Sequence, residues 1–351
     1  MHQAIVFYDR STSEHDTHFR KSLEQGMFRE IHDSIREQVK ELILVQRPGE
    51  HFGPEQLERE ADNLLGDSPE QYGNWVFYPW SGRVVHLLGE NEFAEVRTAR
   101  NRNKINSREQ DILARKRIGV VGLSVGRSVC TTLALQRAFG ELRIADFDVL
   151  ELSNMNRLLC GVHEIGLNKT NSALRCLLEL DPYLKISPFQ EGLNERNLQE
   201  FFLAGGMLDL IIDECDSIAM KFALRRFARQ YGIPVLMATS DRGLLDVERF
   251  DLNQSIPLFH GLTEPEETVE DRLQNDVGAL TMQILDPGRI SQRGRESLAL
   301  LGKELRSWPQ LAEDVYSGGA QVAWAARKIL LAESMPGGRY YFDANEISGT
   351  T

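Results

Sequence analysis

The feature that most constrains the fold is an alternation of apolar, strand-like runs and helix-like runs that begins near residue 117. RIGVVGL precedes a helical segment that ends at Gly140, ELRIADFD precedes a second such segment, and LDLIIDECD precedes a third. This alternation predicts a sheet of mainly parallel strands that is covered by helices on both faces. We therefore expect an α/β fold with a doubly wound, Rossmann-like sheet.

The first part of the chain has a different pattern. We expect a small N-terminal α+β domain at 1–95 and a larger domain at 96–351. Residues 19–44 have apolar residues at helical spacing and predict one or two helices. Residues 75–88 predict a β-hairpin around a Ser-Gly turn.

Three later segments complete the larger domain. Residues 239–251 follow a strand, and their charged side chains either border a substrate or pair with one another on the surface. Residues 254–315 are polar and predict irregular structure, in which the lone His260 is expected to be structural. Residues 318–334 predict a late helix.

Composition excludes several classes of protein. The formal net charge is −12 and no basic stripe is evident, so we expect no nucleic-acid partner. No apolar run is long enough for a membrane span, and the N-terminus lacks a secretory signal, so we expect a cytoplasmic protein. Four scattered cysteines without a CxxC pair predict neither a disulfide framework nor a zinc site.

A glycine turn marks the first candidate binding site. Gly122 and Gly126 lie between a strand and a helix, where backbone amides can approach a phosphate. The full GxGxxG pattern is missing, and glycine also suits a tight strand–helix crossover. Asp146 ends the second strand, where an acidic residue can hold a ribose or simply form a turn. To this point an ATP enzyme and an NAD-dependent oxidoreductase look alike.

The polar residues that follow Asp146 favour the ATP enzyme. Arg157 and Lys169 are two cations near the carboxyl edge of the sheet, and they suit the charge that builds on a triphosphate under attack. Asp213 and Asp216 end the next strand, where a carboxylate that faces phosphates is a natural Mg²⁺ ligand. Each residue alone could be an exposed charge, but the ordered set is harder to explain that way.

The order GLSVG, DFD, SNMNR, NK and DECDS resembles that of the ThiF/MoeB-like adenylyltransferases, a superfamily that includes the ubiquitin-activating enzymes. The resemblance covers roughly residues 100–345 and implies ATP and Mg²⁺ as cofactors, without zinc. It implies a ribose contact for Asp146, a phosphate bridge for Lys169 and Mg²⁺ binding for Asp216. The nucleotide-binding residues that it implies are Gly122, Ser124, Gly126, Asp146, Asp148, Asn154, Arg157 and Lys169. The catalytic residues that it implies are Arg102, Arg157, Lys169 and Asp216.

The family also uses an N-terminal arginine, often supplied across a dimer interface. RTARNRNKI resembles that segment, with Arg102 as the best match and Arg100 as the second, so we expect a homodimer. Two departures stand out. Ser124 and Val125 occupy positions where the family usually has glycine, and no cysteine follows Cys215 that could form a thioester with a protein C-terminus.

Within the family the chain is most similar to the maturation enzymes of pantocin-type peptide antibiotics. The resemblance implies adenylation of a carboxylate, a glutamate side chain or C-terminus of a precursor peptide, with release of pyrophosphate. Capture of the acyl-adenylate without an enzyme cysteine would then give cyclisation or condensation. The N-terminal domain would clamp the peptide or form a dimer. The alternatives are a non-catalytic partner of an adenylating subunit and an NAD-dependent oxidoreductase.

Overall fold

The structure, a computed structural model, describes residues 4–263 and 266–346. Their contacts form two compact units. The first extends to Ser107 and includes Asp181–Tyr183, and the second contains Arg108–Leu180 and the chain from Leu184 onward. The domain limits expected at residues 95 and 96 stay a prediction.

The first unit is built around a four-stranded sheet in the order β1-β3-β4-β2. Its elements are, in chain order, β1 (Val6–Tyr8), α1 (Ser13–Glu24), β2 (Glu30–Asp33), α2 (Ile35–Gln46), α3 (Pro54–Leu65), β3 (Asn74–Tyr78), β4 (Arg83–Leu87) and α4 (Glu90–Thr98). The predicted hairpin is confirmed, because β3 and β4 pair antiparallel. The hydrophobic core beside the sheet is largely aromatic. The ring centroids of Phe19 and Trp75, for example, lie 5.1 Å apart.

Strand β2 corrects the expectation that residues 19–44 form helices alone. Glu30–Asp33 pair in parallel with β4, and all four residues are exposed. A strand with no buried face lacks the alternation of apolar and polar residues that identifies strands in a sequence. The prediction therefore followed the helical periodicity of the residues on either side of it. Helices α1 and α2 do form on either side of it.

The second unit is a seven-stranded sheet in the order β11-β10-β9-β8-β5-β6-β7, with helices around it. Its elements are, in chain order, α5 (Ser107–Leu113), β5 (Arg117–Val121), α6 (Gly126–Leu135), β6 (Glu141–Ala145), α7 (Lys169–Leu180), β7 (Ile186–Phe189), α8 (Leu198–Leu203), β8 (Leu210–Asp213), α9 (Ile218–Tyr231), β9 (Val235–Thr239), β10 (Leu244–Glu248), α10 (Glu266–Asn275), α11 (Val277–Leu285), α12 (Gln292–Leu300), α13 (Ala312–Leu330) and β11 (Gly338–Tyr341).

The predicted fold class is confirmed. Strands β7, β6, β5, β8 and β9 pair in parallel, and β10 and β11 add two antiparallel strands at one edge. The chain moves from β5 outward through β6 to β7 and then crosses back to β8. The order therefore reverses between β5 and β8, and the carboxyl ends of these strands open a crevice where such folds bind ligands.

Two later segments differ from the predictions. Residues 254–315 contain α10, α11 and α12, although their polar composition predicted irregular structure, and residues 264–265 lie outside the described part. These helices are short, and α10 and α12 have few apolar residues, so helical periodicity is weak in their sequence. Residues 244–248, for which no strand was expected, form β10 between β9 and β11. The late helix is confirmed, and α13 begins several residues earlier than expected.

Helix α13 packs closely against α6. Ser128 Oγ lies 3.0 Å from the carbonyl oxygen of Val315, and a Cβ on Gly319 would lie 2.3 Å from Ser128 Oγ. Glycine at position 319 therefore lets the two helices approach within van der Waals contact of their backbones. Among the helices in the described part of the chain, none combines the length and apolar character that crossing a membrane requires.

Candidate functional site

A cavity of about 250 Å³ lies at the carboxyl ends of β5, β6 and β8, next to the switch point of the sheet. Six of the predicted site residues line it: Gly122, Ser124, Asp146, Asp148, Lys169 and Asp216. The fold places them together because parallel strands end at the same edge and each is followed by a polar turn.

Gly122 turns the chain from β5 toward α6. Its φ is +88°, and a Cβ at this position would lie 2.3 Å from the backbone oxygen of Glu214. Both observations require glycine. Gly126 begins α6, and a Cβ there would lie 2.8 Å from Val120 Cγ1. The glycines thus serve close packing of the turn, and the amide of Gly122 donates to the carbonyl oxygen of Ala145 at 2.9 Å.

Asp146 ends β6 and holds the glycine turn in place. Its Oδ2 accepts a hydrogen bond from the amide of Leu123 at 2.7 Å, and its Oδ1 accepts one from the amide of Asp148 at 2.8 Å. Burial raises the pKa of Asp146, and these two bonds and the charge of Lys169 offset that effect in part. The carboxylate therefore joins the turn after β5 to the turn after β6.

Lys169 begins α7 and pairs with Asp148 across the cavity wall. The Nζ atom lies 2.7 Å from Asp148 Oδ2, and the backbone amide of Lys169 donates to the carbonyl oxygen of Asp148 at 2.8 Å. Lys169 is buried, whereas the side chain of Asp148 is half exposed. The cation is thus fixed at the edge of the cavity.

Arg157 lies beside the cavity and is tied to it by Ser124. Its Nη2 donates to Ser124 Oγ at 3.1 Å, and its Nη1 donates to Asn156 Oδ1 at 2.8 Å. None of its hydrogen bonds in the described part of the chain goes to a carboxylate, and its Nε is buried without a partner. Burial lowers the pKa of Arg157, and the charge of Asp216 acts in the opposite direction.

Two predicted residues lie elsewhere. Asn154 is buried in the turn before Arg157, where its Oδ1 accepts from the amide of Glu151 at 3.0 Å, and it does not line the cavity. Arg102 belongs to the first unit and donates to the carbonyl oxygen of Val45 at 3.3 Å. The roles predicted for Asn154 and Arg102 stay predictions.

Asp213, expected with Asp216 to face phosphates, instead belongs to a buried ionic cluster that the sequence analysis missed, and it does not line the cavity. Asp213, at the end of β8, accepts from Lys221 at 3.2 Å and from Arg225 at 2.5 Å. Arg225 also donates to Glu248 at 2.5 Å, and the three residues of this Asp213–Arg225–Glu248 cluster are fully buried. Glu248 comes from β10, so the cluster links the turn after β8 to the antiparallel edge of the sheet.

The cluster corrects one interpretation of residues 239–251. Asp246 and Glu248 are buried in β10 and pair with other side chains, so they do not border an open substrate loop. Asp246 bonds His260 at 2.8 Å, which agrees with a structural role for that histidine. Arg242 pairs with Asp343 at 2.8 Å.

Glu214 is a further cavity residue that the sequence analysis missed. It lines the cavity beside Asp216, and its Oε1 accepts from the amide of Ala238 at 2.9 Å. Burial raises the pKa of Glu214 to about 8, against the opposing charge of Lys221. The sequence showed a carboxyl group directly after an apolar strand, in the DECDS motif. It could not show that this side chain is buried, which is what raises its pKa.

A crevice at the switch point, with a glycine turn on one side and acidic and basic residues around it, is where doubly wound α/β proteins bind their ligands. The chain belongs to the ThiF family, whose model matches residues 98–273, and this family is part of the superfamily of ubiquitin-activating enzymes.

Individual relatives are similar to this chain over part of their own length. Uncharacterized protein MT1398 of Mycobacterium tuberculosis is 42% identical over 82% of this chain and 42% of its own length. A tRNA threonylcarbamoyladenosine dehydratase 2 of Saccharomyces cerevisiae is 31% identical over 42% of this chain and 34% of its own length. The chain thus spans less than half of these two relatives.

One solved structure illustrates the fold. The structure of E. coli MccB with succinimide superposes with a TM-score of 0.51 over 74% of this chain and 78% of its own chain. Its sequence identity is 16%, so the likeness concerns the fold.

Proposed function

We propose that this protein activates a carboxylate by adenylation, with ATP as the nucleotide and release of pyrophosphate. The observation that carries the proposal is the gathering of Ser124, Asp146, Lys169 and Asp216 around one cavity at the switch point, with Arg157 beside it. This set of residues matches what the family resemblance assigns to an ATP site. The family membership supports the same chemistry.

The residues present fit a triphosphate and its metal ion. Arg157 has an unpartnered buried Nε and no carboxylate partner in the described residues, so its charge is available to a phosphate. Asp216 faces the cavity, and its carboxylate makes no hydrogen bond or ion pair within the described residues. An uncommitted carboxylate of this kind suits Mg²⁺, which would neutralise phosphate charge when bound.

Each residue then has a defined task. Asp146 would bind the ribose, with Asp148 holding Lys169 at the cavity wall. Gly122 would turn the chain so that α6 begins at Gly126 with its positive dipole end toward the phosphates.

In the reaction, an oxygen of the substrate carboxylate attacks the α-phosphorus of ATP. A new C–O–P linkage forms, the bond from the α-phosphorus to the bridging oxygen breaks, and pyrophosphate leaves with its electron pair. Lys169 and Arg157 supply positive charge where negative charge accumulates on the phosphate oxygens. Catalysis is therefore mainly positioning and charge stabilisation.

The acyl-adenylate would be captured by a nucleophile of the substrate and not by an enzyme cysteine. Cys215 lines the cavity, but burial and the neighbouring Asp213 hold its pKa well above its usual range. Burial likewise raises the pKa of Cys130 to about 12 and that of Cys160 above its ordinary value. Because the thiolate is the reactive form, these three cysteines are poor nucleophiles.

We further propose a ribosomally made precursor peptide as the substrate, as in pantocin-type antibiotic maturation. The N-terminal unit supports this proposal because β2 is an exposed edge strand, and extended peptides add to such edges. Capture within the same peptide would give cyclisation or condensation. A homodimer that supplies Arg102 or Arg100 in trans, and a location in the cytoplasm, complete the proposal.

The decisive experiment measures pyrophosphate release from ATP and Mg²⁺, with and without glutamate-containing peptides. Release that depends on the peptide is expected, and Asp216→Ala or Arg157→Ala should abolish it while circular dichroism and the melting temperature stay near wild type. Tight ATP binding without release for any peptide would instead indicate a non-catalytic partner. Full activity of either variant would remove the basis for the site assignment.

A further inference from the structure

Ser124 is the residue through which Arg157 meets the cavity. Arg157 itself does not line the cavity, whereas Ser124 does. The two side chains are joined by the 3.1 Å bond from Arg157 Nη2 to Ser124 Oγ. Ser124 is therefore a hydrogen-bonded link between the guanidinium and the cavity surface beside the glycine turn.

The chemistry of the two groups fixes the direction of this hydrogen bond. A guanidinium can only donate, so Ser124 Oγ accepts. The hydroxyl proton is then left to donate, and Ser124 Oγ makes no other hydrogen bond within the described residues. A hydroxyl that accepts from a cation is a stronger donor, because the bonds polarise one another.

We propose that Ser124 relays the charge of Arg157 to a nucleotide phosphate, accepting a hydrogen bond from the guanidinium and donating its own proton to a phosphate oxygen. This inference rests on the proposed function, since it assumes that the cavity holds a phosphate. It assigns to the serine a role that a glycine at the same position cannot perform.

The local sequence explains why such a relay is useful. The resemblance places glycine at both 124 and 125, where this chain has serine and a buried valine. Side chains at these positions limit how closely a phosphate can approach the backbone amides of the turn. The Ser124 hydroxyl offers a hydrogen-bond donor at the cavity surface, where glycine would offer only its backbone amide.

A purely structural role makes a different prediction. If Ser124 only supported the turn, its removal would weaken the binding of every ligand of the cavity. If it contacts a phosphate, its removal should weaken the binding of ATP and leave the binding of adenosine unchanged. Comparison of these two ligands therefore separates the two roles.

The experiment measures the dissociation constants of ATP and adenosine by calorimetry for the full chain and its variants. Ser124→Ala is expected to weaken ATP binding roughly 10-fold, the size of one charge-assisted hydrogen bond, without a change for adenosine. Ser124→Thr keeps the hydroxyl and should retain ATP affinity. Ser255→Ala, at an exposed serine, is the matched control.

A double variant tests the coupling to Arg157. In the Arg157→Ala background, Ser124→Ala should cause little further loss of ATP affinity, because the relay is already broken. Unchanged ATP binding by Ser124→Ala, or an equal loss for ATP and adenosine, would overturn the relay. Wild-type protein that binds no ATP would overturn the proposed function itself, before any variant is compared.

Discussion

Lys169 and Asp148 form an ion pair at the cavity wall, with Nζ 2.7 Å from Oδ2. The lysine is buried at the start of α7, and the aspartate is the second acidic residue after β6. A cation held in this way is already ordered before a nucleotide arrives, so little side-chain entropy remains to be lost when it contacts a phosphate.

Replacement of this lysine should reduce turnover more than binding. Lys169→Ala is expected to lower kcat by roughly 100-fold, the usual cost of a lost transition-state donor, while the dissociation constant of ATP changes much less. Lys185→Ala is the control, because that lysine is largely exposed and pairs with Glu141 away from the cavity. Pyrophosphate release and ATP titration measure the two quantities. A rise in KM with unchanged kcat would assign Lys169 to ground-state binding.

Two glycines with the same backbone conformation allow a test of the turn after β5. Gly122 and Gly166 have φ values of +88° and +89°, but a Cβ meets backbone atoms at Gly122 and open space at Gly166. Gly166→Ala should cost about 1–2 kcal/mol of unfolding free energy from backbone strain alone. Gly122→Ala should cost more and also impair ATP binding. Urea unfolding of both variants measures the difference, and equal losses would contradict the close contact with Glu214.

The buried ionic cluster predicts a large difference between two neighbouring arginines. Arg225→Ala leaves Asp213 and Glu248 buried without their shared cation and should cost about 3–5 kcal/mol of unfolding free energy. Arg226→Ala removes a pair with the exposed Glu270 and should cost about 1 kcal/mol or less. Denaturant titration of the two variants is the measurement. A small loss for Arg225→Ala would mean that water reaches the cluster.

His260 predicts a pH dependence of stability. Burial lowers the pKa of His260, but its bond to Asp246 and the charges of Asp246 and Glu248 outweigh burial, so the pKa is raised. Arg339, which pairs with Asp246, acts against this increase. The stabilisation is therefore fully present below the unfolded-state pKa of about 6.5 and is lost as the pH rises through the higher folded-state value.

We expect the unfolding free energy of wild type to exceed that of His260→Gln by about 1 kcal/mol at about pH 6. This difference should be smaller at about pH 9. Chemical unfolding of both proteins at the two pH values measures it. His51→Gln, at an exposed histidine of the first unit, should leave the wild-type pH dependence intact. A constant difference between wild type and His260→Gln would show that the histidine does not titrate in this range.

Much of the candidate site was predictable because its signals are local. Gly122 and Asp146 directly follow apolar strands, Asp216 comes three residues after another, and parallel strands bring such positions to one edge. The Arg225–Glu248 pair was not predictable, because it joins a helix to an antiparallel strand that the sequence pattern did not indicate. The burial of Glu214 was not predictable either, because it depends on β9, where the amide of Ala238 donates a hydrogen bond to the Glu214 carboxylate.

The fold shows the same division between local and distant causes. The alternation of strands and helices from residue 117 reflects burial of each element against the next, and it predicted the sheet. Strand β2 and helices α10 and α12 have exposed or polar faces, so their sequences lack the apolar spacing on which the prediction depended. Their conformations are set by neighbours far along the chain.

The close packing of Gly319 on Ser128 has a consequence for the order in which the protein is completed during synthesis. Helix α6 begins at the glycine turn, yet its outer face is covered by α13, which is made nearly two hundred residues later. A ribosome-bound chain that lacks α13 has its strands β5 to β9 but an uncovered α6. We therefore expect the crevice at the switch point to complete its packing late, and a chain shortened before α13 to lose support for a site far away in sequence.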